Sequence, residues 1–112
     1  MKNLARPVGA LLMLSLFQHG VFADAGWTGY GRITELQPTT AGRFLVRLET
    51  DPNPSDCRNK SWFYRDYGDA GVELMFHALL GALTSNLQAR VFITGRCDLN
   101  GYSEISSASI VP

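Results

Sequence analysis

The chain has 112 residues, with ten Lys and Arg balanced by ten Asp and Glu. That length holds one small domain, and the balanced charge removes the electrostatic footprint of a nucleic-acid binder or membrane-surface clamp. Two cysteines are too few for a disulfide scaffold or an all-cysteine zinc site. An apolar share of 46% against 18% charged marks a globular and not a disordered chain.

Residues 1–25 read as a cleaved secretory signal. Lys2 and Arg6 give a basic start, and Val8 to Phe17 is an uncharged apolar run too short to span a bilayer. Ala23-Asp24-Ala25 supplies the small residues a signal peptidase accepts, with cleavage after Ala25 expected ahead of cleavage after Ala23. Residues 26–112 then form a single domain, exported to the periplasm or secreted, with no membrane span expected. In an oxidising compartment Cys57 and Cys97 are expected to form one disulfide. Closing a loop of that length stabilises by about 4 kcal/mol in the chain-entropy model.

Trp27 to Leu36 mixes aromatic and β-branched residues and stops at Pro38, predicting a first strand. Arg43 to Glu49 alternates, with Phe44, Val46 and Leu48 on one face, predicting a half-buried second strand. Asp51 to Lys60 carries prolines and asparagines and reads as a surface loop holding Cys57. Ser61 to Tyr67 is a short aromatic-rich third strand. Val72 to Asn86 is the one helix, with Val72, Met75, Phe76, Leu79 and Leu83 at helical spacing and Asp69 placed to cap it. Ala89 to Thr94 is a fourth strand, Asn100-Gly101 suits a tight hairpin, and Ile105 to Val111 is the last strand. The fold expected is mainly β with one helix, in the order β-β-β-α-β-β of a five-stranded OB-type barrel.

On the helix, Glu73, His77 and Thr84 share one polar stripe, leaving an apolar arc of roughly 240°. The Val72, Phe76, Leu79 and Leu83 face can fill a barrel. Leu74, Ala78 and Ala82 then form a flank expected to pack against a second copy, making a homo-oligomer. A loop lying over the flank is the alternative.

Enzyme chemistry is not expected. Residues 26–112 contain one histidine, His77, and no Gly-x-Ser-x-Gly elbow. Glu73 and His77 lie four residues apart on one face, too few ligands for a structural zinc site. Asp51 and Asp56 read as solvating loop acids, Asp98 to Gly101 as a turn, and Asn59-Lys60-Ser61 as a chance glycosylation match. No metal and no cofactor are expected. OB barrels otherwise bind oligonucleotides or oligosaccharides, and charge and export disfavour nucleic acid. Sugar platforms need exposed aromatic rings, for which Trp27, Tyr30, Trp62, Tyr64 and Tyr102 are the candidates.

Gly26-Trp27-Thr28-Gly29 followed by Gly31-Arg32-Ile33-Thr34-Glu35-Leu36 resembles the N-terminus of the B subunits of subtilase cytotoxin and typhoid toxin. The helix followed by Gln88-Ala89-Arg90-Val91-Phe92-Ile93 is similar to their helix and fourth strand. The resemblance implies an OB-fold subunit that assembles as a pentamer, binds sialylated glycans and carries a partner enzyme chain. Tyr30 stands where those subunits place a serine that contacts sialic acid, and the cysteine pattern differs. The run Gly101 to Ser107 looks more like small exported bacterial proteins of the same architecture. Two functions are therefore expected: a glycan-binding, ring-forming subunit, or a free-standing exported OB domain that binds a protein or serves in the cell envelope.

Overall fold

The computed structural model describes residues 25–112, so the expected signal segment lies outside the described residues except for Ala25. Six strands and one helix follow in the order β1 (Gly26–Trp27), β2 (Gly31–Pro38), β3 (Arg43–Leu48), β4 (Trp62–Asp66), α1 (Val72–Thr84), β5 (Gln88–Cys97) and β6 (Ser103–Val111). The fold is mainly β with one helix, as the hydrophobic patterning predicts.

The single first strand expected over Trp27–Leu36 is broken in two, which makes the strand count six and not five. Thr28 is the cause. Its N–H donates to the Val91 carbonyl (2.9 Å), and its hydroxyl replaces a main-chain oxygen in accepting the Val91 N–H (3.1 Å). The Gly29 N–H turns away from β5 and donates to the Pro52 carbonyl at 2.8 Å. Pairing with β5 resumes at Gly31 and Arg32, opposite Ala89 and Gln88.

The strands lie in one sheet in the order β1-β5-β2-β3-β4-β6, and β5 also pairs with β6. The pairings of β2, β3, β4, β6 and β5 therefore run back on themselves as a partial ring. All are antiparallel except β4 with β6. That parallel ladder is short, with Phe63 and Tyr64 opposite Ser103 and Glu104.

Alternation decides which side chains fill the interior. Phe44, Val46 and Leu48 are fully buried as their spacing predicts, together with Phe63, Ala89, Val91, Ile93 and Ile105. Helix α1 packs against β2, β5 and β6 and adds Val72, Leu79 and Ala82 to this core, with Met75, Phe76 and Leu83 partly buried.

Both helix ends differ from expectation. Gly71, in a left-handed conformation, is the N-cap and no side chain caps the helix. The Asp69 carboxylate lies 3.9 Å from Arg65 instead. Helix α1 ends at Thr84, two residues early, because Asn86 adopts φ 59° and the Leu87 N–H returns to the Ala82 carbonyl. Asparagine is one of the few side chains that tolerate this left-handed turn.

Cys57 and Cys97 form the expected disulfide, with Cα atoms 5.7 Å apart. It ties the 51–60 loop to the end of β5. Buried Ser55 and Ser103 share a hydroxyl hydrogen bond of 2.6 Å beside it. The turn after the disulfide is wound around Asp98, not around a two-residue Asn-Gly loop. The Asp98 carboxylate accepts the Asn100 and Tyr102 N–H groups, and its main chain bonds Gly101 and Tyr102.

Candidate functional site

The break between β1 and β2 places Trp27 and Tyr30 close together on the outside of the sheet, each 38% exposed. A regular strand would send residues three apart to opposite faces; the irregular turn through Thr28 and Gly29 removes that constraint. Arg90 comes up from β5 beneath both rings. Its guanidinium carbon lies 4.4 Å from the Trp27 ring centre and 5.0 Å from that of Tyr30. Phe92 meets Trp27 edge-on at 5.5 Å. On neighbouring β6, Ser109 lies opposite Arg90 and Ser107 opposite Phe92, and the Ser109 hydroxyl bonds that of Tyr30 at 3.1 Å.

Arg90 makes no ion pair among the described residues. Its Nε is buried without a hydrogen-bond partner. Two aromatic rings thus stack on one cation. The patch joins aromatic surface, hydroxyls and guanidinium donors, the combination that recognises a polyhydroxylated or anionic ligand.

The other ring candidates lie elsewhere. Tyr64 is 3% exposed, and the Arg43 guanidinium covers its ring at 4.1 Å. Burial, followed by the negative charge of Glu104, holds its phenol above the usual 10.0. Trp62 is half-buried on β4, and Tyr102 is half-buried just before β6. Asn59 of the glycosylation match is used as a staple: its side-chain oxygen accepts the Ser61 and Trp62 N–H groups, each at 3.0 Å.

The helical flank needs one correction. Leu74 is 78% exposed and Ala78 is exposed, but Ala82 is 1% exposed and belongs to the core. Each four-residue step along a helix advances about 40°, so the row from Leu74 through Ala78 has turned inward by Ala82. Gly81, exposed with nothing within 4 Å of a Cβ position, takes its place in line with Leu74, about two turns further along the helix.

Sequence reasoning missed Arg90, Phe92 and Ser109. Arg90 and Phe92 alternate with buried Ala89, Val91 and Ile93, which marks them as outward-facing. Their meeting with Trp27 and Tyr30 depends on strand pairing, which no local signal reveals. Sequence reasoning also missed the convergence of Asp66, Asp69 and Glu104, whose carboxylates lie within 4.8 Å of one another. Arg43 (3.1 Å), Arg65 (3.9 Å) and Arg96 (3.8 Å) respectively accompany them, and the Thr94 hydroxyl donates to Glu104. Acids balanced in this way read as a surface charge network.

No helix among the described residues is long and apolar enough to cross a membrane. Comparison of the chain with protein-family models, curated proteins and solved structures gave no match.

Proposed function

We propose that this chain is an exported, non-enzymatic binding subunit of OB type that takes a glycan on the Trp27–Arg90–Tyr30 patch. The observation that carries the reading is the sharing of one guanidinium, without an ion pair among the described residues, by two exposed rings beside the Tyr30 and Ser109 hydroxyls. Sugar rings present apolar C–H faces and hydroxyl edges, which such a surface matches. The OB-type assignment is supported by the order of pairings around the partial ring, the parallel β4–β6 ladder and a helix between β4 and β5. Export is supported by the Cys57–Cys97 disulfide together with the signal-like residues 1–25.

The subunit also assembles with copies of itself through the outer face of α1. Exposed Leu74, Ala78 and Gly81 support this reading, because small residues allow a neighbouring helix to come close. A ring of subunits, five by the resemblance to toxin B subunits, would present several glycan sites at once and carry a partner enzyme chain. The glycan claim is tested on a glycan array: saturable binding is expected, weakened by Tyr30→Ala with circular dichroism unchanged. Absence of any bound glycan contradicts it.

One observation favours the second reading, a free-standing domain that binds a protein. Arg90 already occupies one face of both Trp27 and Tyr30, leaving less open ring for a sugar. That reading is favoured if one specific protein, and no glycan, is captured through the same patch.

A further inference from the structure

Away from the ring patch, a cavity of about 410 Å³ opens between α1 and the β2–β3 end of the sheet. Its aromatic floor is the half-buried Phe76, backed by the fully buried Phe44, which it meets edge-to-face with ring centres 5.5 Å apart. Pro38 and Tyr67 form the walls. Tyr67 is 41% exposed, yet its hydroxyl is tied twice to Thr39, accepting its N–H (2.8 Å) and donating to its carbonyl (2.7 Å). The Tyr67 N–H also donates to the Gly42 carbonyl at 2.8 Å. The wall is thus held upright without being buried, so the groove stands open before a ligand arrives.

Glu73 is on the rim of this groove, no lysine or arginine among the described residues lines it, and Tyr67 and His77 are the other polar side chains. Glu73 makes no ion pair among the described residues. Aromatic faces attract cations through their quadrupole, and a nearby carboxylate adds a directional acceptor. The volume falls in the range, roughly 300–1,000 Å³, of small-molecule sites. The partial positive charge at the α1 N-terminus, about half an elementary charge, is outweighed by the full charge of Glu73.

We propose that this groove is a second binding site, for a small organic cation: an ammonium group carried on an aromatic or branched aliphatic body. The body lies against Phe76 and Tyr67, and the ammonium pairs with Glu73. The assignment is independent of the glycan reading, because Trp27, Tyr30 and Arg90 are not among the lining residues.

The probe is phenethylammonium chloride, titrated into the purified protein and followed by NMR. Neutral 2-phenylethanol and anionic 3-phenylpropionate serve as matched controls. Saturation with a midpoint on the order of 1 mM is expected for a ligand of this size, with shifts at Phe76 and Tyr67. Glu73→Gln, an exposed change that leaves the core intact, is expected to weaken binding by about three- to fivefold, the worth of one exposed ion pair. Tyr30→Ala is expected to leave the titration unchanged. The assignment is overturned if the alcohol binds as tightly as the amine, or if Glu73→Gln has no effect. Shifts confined to the Trp27 patch overturn it too, as does a protein that never saturates because a second copy covers the groove.

Discussion

A Cβ atom on residue 31 would sit 1.8 Å from the Glu49 carbonyl oxygen, and one on residue 29 would sit 2.2 Å from that of Asp51. The two glycines let the β1–β2 turn pass over the 49–52 backbone, and that passage holds Trp27 and Tyr30 side by side. Gly31→Ala is therefore expected to cost about 3 kcal/mol or more, read as a lower midpoint in urea unfolding. A stability unchanged within error contradicts the close approach. Tyr64 sets a pH response of opposite origin. Its phenol is held above the usual 10.0, so the unfolded chain loses that proton first as pH rises. The contribution is fully present below pH 10.0 and is lost as pH climbs through the higher folded value. Tyr64→Phe is expected to flatten the loss of stability above pH 10.0, measured by urea midpoints across alkaline buffers.

At the scale of the element, α1 divides into two faces of different worth. Leu79 is fully buried and Leu74 is 78% exposed. Leu79→Ala is expected to cost about 2–5 kcal/mol through the cavity it leaves, and Leu74→Ala within about 0.5 kcal/mol. Similar losses for both would contradict the assigned orientation of the helix. Much of this was legible beforehand: the helical spacing named Val72 and Leu79, and alternation in β3 named Phe44, Val46 and Leu48. Ala82 was not, because a row at four-residue steps drifts around the helix and only docking against the sheet fixes where it disappears. The break in the first strand was also hidden. It depends on a hydroxyl of Thr28 meeting Val91 and on backbone at 49–52, both remote in sequence. The candidate site was half legible for the same reason. Trp27 and Tyr30 stand out as aromatic residues, whereas Arg90 acquires meaning only when β1 and β5 pair.

For the whole molecule, the partial ring is closed by short ladders, and the Cys57–Cys97 bond reinforces it by fixing the long 51–60 loop to β5. Replacing both cysteines with alanine is expected to lower stability by about 4 kcal/mol, read by calorimetry against the oxidised protein. Self-association belongs to this scale as well. Sedimentation should find an assembly, and Leu74→Glu should dissolve it without disturbing the β signal in circular dichroism. A monomer at all concentrations would remove the ring from the proposal and leave the patch. The central claim is that a glycan sits on the Trp27–Arg90–Tyr30 face, and the two tryptophans allow it to be tested directly. In an NMR titration with the strongest array glycan, the Trp27 indole N–H should shift while that of Trp62, on β4, stays in place. Movement of Trp62 alone, or of neither indole, would contradict the site.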